Sequence, residues 1–233
     1  MLTIKIVYGN QRAEEGFKEG WGFSCWVESG SSKILFDTGA DAKAVFSNLQ
    51  EHGIDCREIT HLVYSHKHND HIAGFKDIIP QLKKGSRLVL PQKFLTKVTF
   101  PNVKTTIVDD FAQIEPGVYS IVMKCGFRLY EQALILETEK GLVVITGCAH
   151  PGIIPILKEA QRRVKRPLYL VLGGFHLFRQ GQKDVTQIIE EFKSLGVEFV
   201  APCHCSGDAA IAQFQDAFPQ HFYKIGTGMV LKL

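Results

Sequence analysis

The chain has 233 residues, of which 45% are hydrophobic and 22% are charged, and its formal net charge is +3. These values suit a single globular domain, which we expect to span residues 1–233. The charge is too small to predict a nucleic-acid partner, and no apolar run approaches the ~20 residues that cross a membrane. No secretory signal peptide is apparent, so the sequence predicts a cytoplasmic protein. Its six cysteines are then expected to be buried thiols or metal ligands rather than disulfides.

The first half of the chain predicts a series of strands interrupted by one helix. Alternating or continuous apolar runs mark the strands, and Gly53 is a plausible end for the helix. The loop 92–102 has no pattern that predicts an element. In chain order the elements are strands 2–9, 22–29 and 32–39, helix 40–53, and strands 59–65, 87–91 and 105–109.

The pattern starts again from about Gly126, which indicates an internal duplication with halves of about 1–120 and 121–233. Two β-rich halves with helices outside them predict an α/β fold. We expect a four-layer αββα sandwich of two packed mixed β-sheets. The second-half elements are hairpin 132–150, helix 152–165, strand 167–176, helix 184–196, strand 197–202, helix 208–218 and a closing strand within 222–233.

A cluster of histidines follows the predicted strand 59–65. Three of the nine histidines and one aspartate lie within six positions, in the pattern His66-x-His68-x-Asp70-His71. His66 and His68 can face the same side of an extended or tightly turned segment, and Asp70 and His71 then point toward a neighbouring position. Imidazole nitrogen and carboxylate oxygen suit Zn²⁺, and also Fe²⁺ or Mn²⁺. The sequence therefore predicts a site for one or two divalent ions.

The stretch SHKHNDHIAG, together with FDTG before it and the duplicated halves, resembles the signature of the metallo-β-lactamase superfamily. The resemblance implies the αββα fold and a metal-dependent enzyme. It implies that His66 and His68 bind the first metal, that Asp70 and His71 bind the second, and that Asp70 takes part in catalysis. It also implies that Asp37 orients the ligand loops as a supporting carboxylate.

The second half departs from the common pattern of that superfamily. TGCAH stands where a bridging aspartate usually lies, so Cys148 occupies that place, and the sequence leaves open whether its thiol binds metal or packs beneath the site. His150 is the expected third histidine for the first metal. His204, in APCHCSG, is the expected last histidine.

Three further motifs, TGCAHPGI, GGFHL and PCHCSG, resemble a narrower branch of the superfamily. This branch is named for ribofuranosylaminobenzene 5′-phosphate synthase and is sometimes labelled dihydropteroate-synthase-like. The resemblance implies a reaction that joins a pterin to an aminobenzene ribose phosphate.

Several residues are candidates to contact a small, anionic substrate. His176 follows two glycines at a strand end, and it is expected to have a catalytic role or to contact substrate or metal, or else to be a satisfied polar residue of the core. Lys67 and Arg179 are candidate phosphate partners. Ser206 precedes a helix whose free backbone amides could hold an anionic group. Self-association into a homo-oligomer is left open.

The sequence leaves three functions open. A metal-dependent hydrolase, the leading interpretation, would use an activated water to attack a small ester, lactone or phosphoester. A synthase-like transferase would bind a phosphorylated or pterin substrate and consume no water, and the replaced bridging aspartate leans this way. A non-enzymatic sensor would keep the metals without efficient turnover. An aspartic protease is excluded, because the second half has no acid to pair with Asp37.

Overall fold

The computed structural model of the protein describes residues 2–94 and 100–233, so the predicted loop 92–102 lies partly outside the described residues. Within them, the chain forms two packed mixed β-sheets with helices on their outer faces. The α/β four-layer prediction is confirmed. No helix among the described residues is long and apolar enough to cross a membrane.

The first sheet has seven strands, numbered in chain order and arranged as β13-β1-β2-β3-β4-β5-β6. The strands β13, β1, β2 and β3 pair antiparallel, whereas β3, β4, β5 and β6 pair parallel. The strand bounds are Leu2–Tyr8, Ser24–Ser29, Ser32–Phe36, His61–Val63, Arg87–Pro91 and Lys104–Val108 for β1 to β6, and Val230–Lys232 for β13.

The second sheet has six strands in the order β12-β11-β10-β9-β8-β7. The strands β7 to β10 form an antiparallel meander, and β10, β11 and β12 are parallel. The strand bounds are Phe111–Glu115, Val118–Cys125, Leu129–Thr138, Gly141–Thr146, Leu168–Gly174 and Phe199–Cys203 for β7 to β12. The chain thus changes sheet between β6 and β7, and its last strand returns to the first sheet.

Six helices lie among the described residues. The longer ones start and end where local chemistry favours it. Asp41 caps the first by accepting hydrogen bonds from the amides of Lys43 and Ala44, at 2.9 and 3.1 Å. Lys165 ends the fourth in a left-handed conformation. The helix bounds are Ala42–Glu51, Asn69–Ile72, Phe75–Ile78, Ile153–Val164, Gln182–Ser194 and Asp208–Ala217 for α1 to α6.

Apolar side chains fill three layers of core. Phe36 of the first sheet and Leu172 of the second belong to the layer between the sheets. Helices α4 to α6 cover the outer face of the second sheet, where the rings of Phe192 and Phe214 lie 5.0 Å apart. Helix α1 covers the outer face of the first sheet through residues such as Leu49. This burial fixes the sheets against each other and therefore fixes where their strands end.

The carboxyl ends of the parallel strands meet at one edge of the sandwich. Asp37 follows β3, Ser65 follows β4, Cys148 follows β10, His176 follows β11 and His204 follows β12. Side chains from distant parts of the chain can converge there, because parallel strands of a sheet end at the same edge.

Candidate metal centre

The histidine motif lies between strand β4 and the one-turn helix α2. His66 and His68 precede the helix, whereas Asp70 and His71 belong to it. His66 and His71 are fully buried, and the Asp70 side chain is 23% exposed. The turn into the helix separates the two pairs, as the spacing of the motif predicts.

Two groups of three side chains form at this edge. The first group contains His66, His68 and His150, and the second contains Asp70, His71 and His204; within each group the ligand atoms lie within 4.8 Å of one another.

The shortest contacts join the members of each group directly. His66 Nε2 lies 3.0 Å from His68 Nδ1. Asp70 Oδ2 lies 3.3 Å from His204 Nε2 and 3.7 Å from His71 Nε2. The residues that the sequence assigned to two metals therefore lie together in two adjacent groups.

Cys148 lies between these two groups. Its sulfur is within 4.8 Å of the ligand atoms of His66, in the first group, and of His71, in the second. The contact with His71 Nε2 is 3.2 Å. The thiol thus faces the cluster, a position that the sequence had left open.

Four of the histidines share one arrangement, in which Nδ1 meets a polar group and Nε2 points toward the cluster. The Nδ1 contacts are His66 with Ser65 at 2.8 Å, His71 with Asp37 at 2.7 Å, His150 with Glu131 at 2.7 Å and His204 with Asn10 at 3.1 Å.

The partners of these Nδ1 atoms all act as acceptors. The Ser65 hydroxyl donates its own hydrogen to Asp37 at 2.6 Å, and Asn10 Oδ1 already accepts from the amide of Gly22 at 3.2 Å. The other two partners are carboxylates. Each Nδ1 therefore carries the hydrogen, which leaves the Nε2 lone pair free to face the cluster.

Burial keeps the central imidazoles neutral. It lowers the pKa of His66 to about 3, with help from the charge of His71, and it lowers the pKa of His71 to about 3, with help from the charge of His204. The Nε2 atom of His204 is buried and has no hydrogen-bond partner within residues 2–94 and 100–233. Neutral imidazoles, a carboxylate and an unpaired buried nitrogen are the donor set that a divalent transition-metal ion requires.

Asp37 supports one ligand from behind. It is fully buried and accepts hydrogen bonds from the Ser65 amide at 2.7 Å, the Ser65 hydroxyl at 2.6 Å and His71 Nδ1 at 2.7 Å. Burial raises its pKa to about 7, although the charge of His66 and the bonds from Ser65 oppose that rise. This geometry suits the orienting role that the resemblance implied.

Glu131 is a buried residue of the site that the sequence did not reveal. Its carboxylate accepts from the amides of Cys148, Ala149 and His150 at 2.7–2.8 Å and from His150 Nδ1 at 2.7 Å. Although burial raises its pKa, the adjacent imidazole of His66 and the hydrogen bond with His150 hold that pKa well below the usual range. Its place just before the apolar run of strand β9 was the signal that could have identified it.

Backbone strain is concentrated around the cluster. Four residues other than glycine have positive φ angles here: Asp37 at 57°, Ala149 at 59°, His176 at 56° and His204 at 50°. Such conformations persist only where surrounding contacts enforce them, and they are typical of functional sites.

The predicted substrate contacts have mixed placements. His176 lies beside the first group, with its ring 4.5 Å from that of His150. Lys67 is exposed, and the Arg179 guanidinium lies over the ring of Phe178. The Ser206 hydroxyl is fully buried and accepts a hydrogen bond from the Phe175 amide at 3.0 Å, so the predicted anion contact would rest on backbone amides alone.

Exposed aromatic side chains lie beside the second group. Trp21 is 53% exposed and Phe178 is 45% exposed, and their rings are 6.5 Å apart. The Trp21 ring is also 4.8 Å from that of His204. An apolar groove of about 660 Å³ opens beside His150 and His176. Large exposed apolar groups next to a polar cluster indicate a ligand-binding surface.

This αββα fold, with histidines, an aspartate and a cysteine gathered at its strand ends, defines the class of metallo-β-lactamase-fold proteins. The chain matches the metallo-beta-lactamase superfamily over residues 22–204, and it belongs to that family.

Two relatives share 26% of their residues with this chain over its whole length. One is the 7,8-dihydropterin-6-methyl-4-(beta-D-ribofuranosyl)-aminobenzene-5′-phosphate synthase of Methanocaldococcus jannaschii, of which 96% is covered. The other is a solved structure described as a metal-dependent hydrolase of the beta-lactamase superfamily, of which 99% is covered with a TM-score of 0.83. The metallo-beta-lactamase fold protein YhfI from Bacillus subtilis aligns with this chain over the full length of both chains, at 15% identity and a TM-score of 0.71. This likeness shows the shared fold.

Proposed function

We propose that this protein is a metal-dependent enzyme that joins a pterin-like ring to an aminobenzene carrying a ribose phosphate. The observation that carries the proposal is the convergence of four imidazoles whose Nε2 atoms face the cluster, each with its Nδ1 held by a polar partner. Such second contacts fix the tautomer and ring orientation of metal-binding histidines.

The two groups would hold one or two divalent ions, with zinc the first choice and manganese or iron as alternatives. His66, His68 and His150 would hold the first ion, and Asp70, His71 and His204 the second, with Cys148 between them. A divalent cation held there would supply Lewis-acid polarisation of whichever substrate group it contacts.

The state of the carboxylates favours transfer over hydrolysis. Glu131 accepts four hydrogen bonds and Asp37 accepts three, so neither is free to take a proton from an attacking water. Asp70 faces His204 and His71, whose imidazoles hold the pKa of the Asp70 carboxyl well below its usual range despite burial. A carboxylate of such low basicity is a poor general base at neutral pH.

The surroundings of the cluster suit a flat substrate with an anionic end. The exposed rings of Trp21 and Phe178 could pack against a pterin, and the exposed Arg179 on the same loop as Phe178 could pair with a phosphate. His176, beside His150, would contact the reacting part of the substrate. The full-length similarity to the methanogen synthase supports the same substrate class.

Hydrolysis of a small ester or phosphoester is the second candidate. The partial exposure of Asp70 gives water access to the second group, and one relative of equal identity is described as a metal-dependent hydrolase. Asp70 would then be the residue that positions water.

A direct test offers both reactions to the same preparation. The purified protein, supplied with Zn²⁺ or Mn²⁺, is given a 7,8-dihydropterin with a leaving group on its 6-methyl carbon and a ribofuranosylaminobenzene 5′-phosphate. In parallel it is given a panel of phosphodiesters, thioesters and lactones. We expect the joined product by mass spectrometry, at a rate at least ~10-fold lower in His68→Ala and unchanged in the matched control His221→Ala. Hydrolysis of the panel without a joined product, or metal binding with inertness toward every substrate, would contradict the proposal.

A further inference from the structure

A third group of donor side chains lies beside the two groups described above. It consists of the thiols of Cys148 and Cys205 and the imidazole of His176, whose ligand atoms all lie within 4.8 Å of one another. These residues follow β10, β12 and β11, so the group belongs to the second sheet alone. The histidine motif of the first sheet contributes nothing to it.

The backbone around this group is built for close approach. A Cβ atom on Gly174 would lie 2.6 Å from Cys205 Sγ and 3.2 Å from Cys148 Cα, so only glycine leaves room for both. The amides of Leu177 and Phe178 donate to the Cys205 carbonyl at 3.1 and 3.2 Å, which ties the segment after β11 to the segment after β12. The two cysteines and the histidine are therefore held together by main-chain contacts.

One donor of the group has a contact outside it, because Cys148 Sγ lies 3.2 Å from His71 Nε2, whereas His176 and Cys205 remain available. His176 Nδ1 is buried and has no hydrogen-bond partner in the part of the chain that the structure describes. The Cys205 thiol makes a weak 3.5 Å contact with the carbonyl of Cys148. Both cysteines are buried and free. A buried nitrogen without a partner costs free energy unless something else binds it.

We propose that Cys148, His176 and Cys205 form a third ligand set, which binds a thiophilic divalent cation such as zinc. Two thiolates and one imidazole are a known zinc ligand set, and three protein ligands leave the fourth tetrahedral position open. Cys148 also lies between the two groups that include the histidine motif. The three proposed ions would therefore form a row, with the third ion at one end. This proposal rests on the donor side chains of the third group, and it does not depend on which reaction the protein catalyses.

A Co²⁺ titration of the full-length protein tests this proposal. It is done under anaerobic, reducing conditions, and thiolate-to-cobalt charge-transfer absorption reports the binding. We expect a strong band in the wild type, which falls by about half in Cys205→Ser because one of two thiolates is lost. His176→Ala should weaken Co²⁺ binding at this band by at least ~10-fold. Cys203→Ser, two positions before Cys205, is the matched control and should leave the band intact.

A second variant separates this site from the proposed metal centre. His68→Ala removes a ligand of the first group, so it should lower total bound cobalt while it leaves the thiolate band in place. If His68→Ala loses activity but keeps a normal thiolate band, the defect lies in the proposed metal centre and not in the third ligand set. Circular dichroism of each variant confirms that it folds.

Two results would overturn the proposal. One is a band of unchanged intensity in Cys205→Ser at unchanged cobalt stoichiometry, which would assign the thiolate signal to Cys148 alone. The other is a Cys148–Cys205 disulfide in protein purified anaerobically with reductant, found by peptide mass spectrometry, because those sulfurs would then be unavailable to metal.

Discussion

Four imidazoles of this site, those of His66, His71, His150 and His204, are each fixed by a contact on the side away from the cluster. Glu131 has the largest share of such contacts, because it holds the His150 ring and the three consecutive amides of residues 148–150. This carboxylate accepts hydrogen bonds from four donors. A replacement group that presents an N–H of its own would leave at least one of these donors unpaired.

Replacement of Glu131 by glutamine tests this role. Glu131→Gln keeps the size of the side chain but turns an amide group toward N–H donors, so the turn that carries Cys148 and His150 should lose its fixed position. We expect zinc affinity to fall by ~10–100-fold, the range found for residues that support metal ligands.

Isothermal titration with zinc measures the effect. Glu137→Gln, at the far end of the same strand, is the matched control and should bind zinc as the wild type does. Equal affinities for the two variants would mean that Glu131 serves stability alone.

The sequence predicted the site residues whose types and spacing form a diagnostic motif. It missed those that contribute only through their position in the fold. The His-x-His-x-Asp-His spacing was enough to select His66, His68, Asp70 and His71, because few other functions require it. Asn10 and Glu131 carry no motif, since they are recognised only by what the fold brings next to them. The burial of the Ser206 hydroxyl likewise cannot be read from the helix start alone.

Among the elements, the strand ends of the second sheet are held together by glycines. A Cβ atom on Gly173 would lie 2.0 Å from the carbonyl oxygen of Thr146 on the neighbouring strand, and the φ angle of Gly173 is +122°. The parallel pairing of β10 and β11 thus depends on the absence of a side chain here, as does the placement of the cysteine and histidine that follow them.

Alanine substitutions at Gly196 and Gly173 separate the cost of backbone strain from the cost of steric overlap. Gly196→Ala, where φ is +72° and no atom of the described residues lies within 4 Å of the new Cβ, should cost ~1–2 kcal/mol of unfolding free energy. Gly173→Ala should cost a further ~1–3 kcal/mol or more from overpacking. Urea unfolding measures both values, and similar losses for the two variants would refute a steric role for Gly173.

Most elements were predictable because their apolar patterns are strong. The hairpin of β9 and β10 and the helices α1, α4, α5 and α6 occur where the sequence placed them. Strands β7 and β8 were missed. Strand β8 has consecutive buried residues from Ser120 to Val122, so it shows no clean alternation, and β7 is a half-exposed edge strand. The helices α2 and α3 are single turns and have no periodicity to detect.

For the whole molecule, the layer between the two sheets fixes the distance between the halves of the site. Its side chains come from both sheets. The first sheet supplies the histidine motif, and the second supplies Cys148, His150, His176 and His204. A shift of one sheet against the other would therefore separate the proposed ligands.

A core substitution tests how strongly this layer stabilises the fold. Leu172→Ala, in the middle of β11 and fully buried, should lower the unfolding free energy by ~2–5 kcal/mol. Val230→Ala, on the edge strand β13 with 42% exposure, should change it by no more than ~0.5 kcal/mol. Chemical denaturation gives both values, and a Leu172→Ala loss as small as that of the control would show that this layer does not dominate stability.

Metal content of the purified protein tests the central claim most directly. Elemental analysis should find at least one equivalent of zinc, manganese or iron in the wild type and in His221→Ala, and a large loss in His68→Ala and in His150→Ala. Wild-type protein that takes up no transition metal at any ratio, or variants at residues 68 and 150 that both keep the wild-type stoichiometry, would contradict it.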